Sequence, residues 1–189
     1  MVTGNRNPAT ANRRKILSYI VAGIILQMLI ILVFVLIFLR IRSPKVRFKA
    51  LTVENINANS AGSPSFSMKL AAQVTVKNPN FGHFKFRDSP ISIFYKGTLV
   101  GESYLPKRRA RARSTEKMNI AISVDSKEVS SSSSLRSDIN SGKIPLSSKA
   151  TLYGKVHLFK VIKKKKTAKM DCTMDVNIKA NTIENLKCK

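Results

Sequence analysis

Two cysteines, two histidines and a large surplus of cations are the residues of this chain whose types could do chemistry. Cys172 and Cys188 lie near the carboxyl end with "TMDVNIKANTIENLK" between them, while His83 and His157 are scattered, so no ligand set with zinc-like spacing forms. There is no Gly-rich phosphate loop, no nucleophile elbow, and no spacing of Ser, His and acid suited to a triad. The sequence therefore predicts neither an enzyme nor a cofactor. His157 sits in the alternating stretch "GKVHLF", where a structural histidine is the simpler reading. The cysteine pair leaves two outcomes open. In an oxidising compartment a single clip would stabilise by about 3 kcal/mol on the chain-entropy model; in a reducing one both would stay as small, partly buried thiols.

The cations carry the remaining chemistry. Lys and Arg number 34 against 10 Asp and Glu, a formal net charge of +24. They cluster twice. "KRRARARSTEK" holds Lys107, Arg108, Arg109, Arg111 and Arg113, and "KVIKKKKTAK" runs from Lys160 through Lys163, Lys164, Lys165 and Lys166 to Lys169. Such a chain seeks polyanions: nucleic acid, anionic lipid headgroups or, outside the cell, acidic polysaccharide. Nucleic acid is disfavoured, because the basic runs lack interleaved aromatics and match no reader motif. The bland alternative is that both runs are solvated loops.

The elements that must position these groups begin with an anchor. Residues Ile16 to Leu39, "ILSYIVAGIILQMLIILVFVLIFL", hold no charge. At about 1.5 Å per residue the run reaches about 36 Å, enough to cross a hydrocarbon core of about 30 Å. It is too long for the apolar stretch of a cleaved signal peptide and ends in "RIRSPKVRFK" rather than small residues. Arg6, Arg13, Arg14 and Lys15 precede it; Arg40, Arg42, Lys45, Arg47 and Lys49 follow, a near tie under the positive-inside rule. The short basic tail before a first hydrophobic segment favours a signal anchor, with a cytoplasmic amino terminus and a translocated carboxyl portion. The absence of an Asn-x-Ser/Thr sequon counts mildly the other way.

Beyond the span the periodicity switches to alternation, the mark of half-buried strands. "RFKALTVENI" alternates through Phe48, Ala50 or Leu51, and Val53, and "FSMKLAAQVTVKN" places Phe66, Met68, Leu70, Ala72, Val74 and Val76 on one face. Asn78-Pro79-Asn80 must end or turn that strand, since proline lacks a ladder donor and asparagine caps turns. "HFKFRDS" then resumes, "ISIFYKGTLVGESYL" reads as a hairpin with Leu99 on its return strand, and "EKMNIAISVD" adds Met118, Ile120, Ile122 and Val124. "SKEVSSSSSLRSDINSGK" is either a mobile loop or a short polar helix. "KATLYGKVHLF" and "AKMDCTMDVNIKAN" close the series, the latter with Met170, Cys172, Met174, Val176 and Ile178 on one face. About seven or eight strands with no helix pattern beyond the span predict an all-β antiparallel sandwich. The expected organisation is a cytoplasmic tail over 1–15, a transmembrane helix over 16–39, a juxtamembrane linker over 40–46 and a β-sandwich domain over 47–189.

"VTVKNPNFGHFKFRDSPISIFYKGTLVGESYLP", Val74 to Pro106, resembles the signature region of the late embryogenesis abundant group-two (WHy-type) domain. That domain occurs in the plant family of harpin-induced and non-race-specific disease-resistance-like membrane proteins. Matching positions are Asn78, Pro79, Asn80, Phe81, Phe86, Tyr95, Gly97, Val100 in place of a leucine, Gly101 and Pro106. The resemblance implies a fibronectin-like sandwich, and the family's late cysteine pair falls on Cys172 and Cys188. Its corner would be structural, returning Phe84 and Phe86 to the core. It further implies a single-pass type II plasma-membrane protein with an extracellular domain, acting by binding in defence or stress responses. Acidic wall polymers or protein partners would be the contacts. Two alternatives stand beside this: a cytosol-facing domain that binds anionic lipid and tethers membranes, and a domain that protects against dehydration. Both basic clusters depart from the family's pattern.

Overall fold

The computed structural model describes residues 8–38, 40–158 and 162–189. Arg6 of the basic tail, Leu39 at the end of the expected span and Lys160 lie outside them. The chain divides into two units, Met1–Arg40 and Ile41–Lys189.

The first unit holds α1 (Pro8–Phe38). Proline suits a first helical position, where its missing N–H would be unpaired anyway. Within α1, Lys15–Leu36 is long and apolar enough to cross a membrane, and its large side chains are exposed.

The second unit is built from strands. In chain order these are β1 (Lys45–Asn59), β2 (Ser65–Lys77), β3 (His83–Phe86), β4 (Ser89–Tyr95), β5 (Thr98–Leu105), β6 (Arg108–Ala110), β7 (Thr115–Asp125), β8 (Lys143–Leu158), β9 (Ile162–Asn177) and β10 (Thr182–Cys188). All pairings are antiparallel. The path runs β1-β2-β7-β5-β4-β8, and β9 lies along the whole other edge of β8 with β10 outside it. β8 serves two strands in succession on the first edge: Ser147–Ala150 pair with β4 and Gly154–His157 with β3, which in turn carries β6. β1 comes alongside β9 and β10, so the sheet nearly closes into a barrel-like β-sandwich.

Alternation decides what fills it. The six inward positions expected on β2 are all buried, with Leu70, Val74 and Val76 at 0% exposure. Phe84 and Phe86 stack at 5.6 Å between ring centroids and are buried, which is where the corner returns them. In β1 the ambiguity between Ala50 and Leu51 is settled by a bulge between Phe48 and Ala50, which turns Leu51 inward and leaves Ala50 exposed. A bulge in the β4–β5 pairing, at Ile93 and Phe94, turns Val100 into the core with Leu105 and leaves Leu99 exposed. Ile120 is only half-buried, unlike Met118, Ile122 and Val124.

Two strands were not expected, and one open alternative is settled. β6 and β10 are strands the alternation did not reveal, because each is short or breaks register. The serine-rich stretch is ordered: a 3-10 turn (Lys127–Val129) leads into α2 (Ser133–Ser141). Leu135 is buried, Gly142 stops the helix at φ 79°, and the Tyr95 hydroxyl donates to Asp138 Oδ2 at 2.7 Å. β1 begins at Lys45, and Val46 is 1% exposed.

Candidate functional site

Asn78 and Asn80, both buried, organise one end of the domain. Asn78 Nδ2 donates to the carbonyls of Gly82 (2.7 Å) and Arg111 (2.9 Å) and more distantly to Ala110 (3.3 Å). Its Oδ1 accepts from the backbone N–H and the side-chain amide of Asn80 (3.1 and 2.9 Å). Asn80 passes the chain of bonds on: its Oδ1 accepts from the Arg42 N–H (2.6 Å) and its Nδ2 donates to the Arg42 carbonyl (2.8 Å). Its own carbonyl accepts from the Arg113 N–H (2.9 Å). Thus two amides tie the first residues of the domain, the corner and the β6–β7 loop together. Phe81, half-exposed beside them, lies 4.1 Å from the Arg113 guanidinium measured to the ring centroid.

This corner holds β3 against β8, and glycine makes the approach close. A Cβ on Gly154 would come within 2.5 Å of the Lys85 carbonyl and the Phe84 ring, and one on Gly82 would collide with the His157 carbonyl. With β3 seated, strand register brings sequence-distant cations into a line. Arg109 faces Lys85, Lys85 faces Lys155, and Lys155 faces Lys165 across β6, β3, β8 and β9. All four are exposed. Strands about 4.8 Å apart make this row about 14 Å long. One step along, His83, His157 and Lys163 form a parallel row.

Like charges directly opposite one another on a sheet destabilise it, and among the described residues no ion pair with a carboxylate engages these four cations. Among the described residues the ion pairs use other cations, such as Arg108 with Glu116 at 3.6 Å. The field is felt by His157, whose pKa is pushed below the usual imidazole range, first by burial and then by Lys85, Lys163 and Lys155. The face can therefore do one thing chemically: gather negative charge.

The residues singled out in the sequence are distributed unevenly over it. Within "KRRARAR", Arg109 joins the row, while Arg108 is paired with Glu116 and Lys107 is held through its N–H by Asp88 Oδ1 (2.6 Å). Arg111 and Arg113 belong to the loop at the asparagine corner, Arg113 at φ 53°. The lysine run is part of strand β9, so it alternates: Lys163 and Lys165 share the outer face, whereas Lys164 and Lys166 take the register of inward Val156 and Gly154, Lys164 nonetheless exposed and Lys166 half-buried. Lys85, Lys155, His83 and His157 complete the face and were not singled out as binding residues. The parity of "HFKFR" and "YGKVH" contains that signal, since each puts its cations opposite its core residues.

Cys172 and Cys188 are joined by a disulfide and are register partners across β9 and β10. Cys172 faces the core and Cys188 is half-buried. Close by, Glu184 accepts from Lys143 Nζ (2.8 Å) and from Asn177 Nδ2 (2.9 Å), and these bonds lower its pKa. Clip and clasp together hold β10 in place.

A family model described as late embryogenesis abundant protein (LEA_2) matches residues 73–174. A curated relative, "Late embryogenesis abundant protein At1g64065" of Arabidopsis thaliana, is 28% identical over 180 residues, covering 93% of this chain and 83% of its own. Among solved structures, AT1g01470 from Arabidopsis thaliana is 14% identical with a TM-score of 0.48, over 72% of this chain and 83% of that one. A protein from Archaeoglobus fulgidus is 10% identical with a TM-score of 0.35, over 70% of this chain and 94% of that one.

Proposed function

The chain belongs to the late embryogenesis abundant (LEA_2) family, and from that premise we propose that it is a membrane-anchored, non-enzymatic binding protein of plant stress or defence responses. Its basic β-domain contacts acidic polymers of the cell wall. Within the family it fits the harpin-induced, non-race-specific disease-resistance-like membrane group, as a single-pass type II plasma-membrane protein with the domain outside the cell.

The observation that carries this reading is the row Arg109, Lys85, Lys155 and Lys165, four facing cations assembled from four strands. A sheet bears such mutual repulsion more readily when a polyanion relieves it. The apolar length of Lys15–Leu36 supports the anchor, and the Cys172–Cys188 disulfide supports an oxidising compartment.

The test is titration of the full chain in detergent with polygalacturonate at several salt concentrations. Affinity is expected to fall linearly on a log–log plot against salt. Replacing Lys85, Lys155 and Lys165 together by glutamine should reduce the slope by about 2, taking about 0.7 per contact as for flexible polyanions. A slope and affinity unchanged by the triple substitution would remove the role given to this face.

A further inference from the structure

Tyr153 stands beside the cation row, not in it. Its side chain is 56% exposed on the outer face of β8, two residues before Lys155 and in register with Thr167 of β9. Its carbonyl accepts from the Arg87 N–H (3.2 Å), which pins the end of β3 alongside. The result is an open trough of about 700 Å³ bordered by Tyr153, Lys85, Arg87, Lys155, Lys165 and Lys166. That size lies within the range of sites that take small molecules or one unit of a longer ligand.

An aromatic ring among cations selects by two criteria at once. Lys85, Lys155 and Lys165 ask for negative charge, whereas the phenol ring asks for a ligand with an apolar flat face. A phosphate chain meets only the first demand. A single-stranded nucleic acid meets both, yet its binders stack successive bases on successive aromatics, and Tyr153 is the one exposed aromatic bordering this trough among the described residues. A carboxylated sugar meets both with one ring: its C–H face covers the phenol while its carboxylate reaches an ammonium group. Strand spacing of about 4.8 Å repeats the cations at intervals of the order of one such ring, so neighbouring units find partners along the row.

We propose that the trough around Tyr153 is a subsite for one ring of a uronate polysaccharide, stacked on Tyr153 with its carboxylate held by Lys85, Lys155 and Lys165. This rests on reading the cationic face as a polyanion site, and makes Tyr153 the residue that separates sugar acids from other polyanions.

The experiment compares the full chain and its Y153S and Y153F variants in detergent against polygalacturonate and inorganic polyphosphate, with near-ultraviolet circular dichroism to confirm folding. Y153S is expected to weaken polygalacturonate binding by roughly 5- to 100-fold, the range that aromatic stacking carries. It should leave polyphosphate binding within about twofold, and Y153F should retain both. Equal affinity of wild type and Y153S for polygalacturonate overturns the subsite while leaving the cationic face in place. Equal loss of both probes in Y153S also overturns it, since ring recognition would then not be what was removed. If wild type binds neither probe, the cationic-face reading fails as well. Tighter, Tyr153-dependent binding of single-stranded oligonucleotides would overturn the sugar assignment in favour of nucleic acid.

Discussion

Replacing Asn78 by alanine should be the most costly polar substitution at the corner. Its amide makes four well-formed bonds, three buried and that to Arg111 partly so: to the Gly82 and Arg111 carbonyls, and from the N–H and side chain of Asn80. At about 1 kcal/mol net each, their loss costs about 4 kcal/mol, and unpaired buried carbonyls offset any relief from shedding the amide. For a domain of this size each kcal/mol moves Tm by about 2–4 °C, so the expected fall is about 8–16 °C. Asn80→Ala is the internal comparison: it loses the two partly buried Arg42 bonds and the buried bond to Asn78 Oδ1, three in place of four, and should fall by about three-quarters as much. Asn78→Asp is the sharper variant. It keeps the shape but points an acceptor at three carbonyl oxygens, so it should be no more stable than the alanine variant. The assay is thermal unfolding of the full chain in detergent followed by tyrosine signals, since the chain has no tryptophan. An Asn78→Ala variant that melts within about 2 °C of wild type, or an Asn78→Asp variant as stable as wild type, would refute the energetic role assigned to the relay.

Two further outcomes concern the carboxyl end. Reducing the Cys172–Cys188 bridge, whose half-cystines are 16 apart in sequence, should cost about 3 kcal/mol on the chain-entropy model; a Tm indifferent to reductant would contradict this. Glu184 has a folded pKa lowered chiefly by its hydrogen bond from Lys143, so its contribution is present above the ordinary glutamate pKa and disappears as pH falls through the folded value. Wild type should therefore melt above Glu184→Gln at neutral pH and converge with it in acid; a gap that persists at low pH would show that the clasp is not what the substitution removes.

How much of this was legible in the sequence depended on range. Leu70, Val74 and Val76 declare their face because alternation is a local signal, and the turn at Asn78-Pro79-Asn80 follows from the chemistry of those residues alone. The Asn78 and Asn80 partners were not legible, because Arg42 and Arg111 lie more than thirty residues away on either side. The cation row was invisible for a related reason. Reading charge as runs pointed to Arg108 and Lys164, whereas register selects every second residue and discards both from the face. α2 was ambiguous because serine is a middling helix former; Leu135 anchored in the core and Gly142 at the stop are what commit it.

The asparagine relay also has a mechanical meaning. Tension entering the domain at Ile41 meets Arg42 first, and Arg42 is bonded to Asn80. From there the bonds lead through Asn78 to Gly82, immediately before β3, and to Ala110, the end of β6. β3 and β6 supply Lys85 and Arg109, so under the proposed function a load between a membrane anchor and a polymer on the cationic face would be shared by this short path of side-chain amides. The covalent chain carries pull as well, from Arg42 into β1, which pairs with β2 from Lys45 and Lys77 onward, and Asn78 itself follows β2 and donates its N–H to the Ser114 carbonyl beside β7. Two asparagines would thus act as a cross-brace, spreading pull that enters at Arg42 over the corner, β3 and β6 as well as along the β1–β2 ladder.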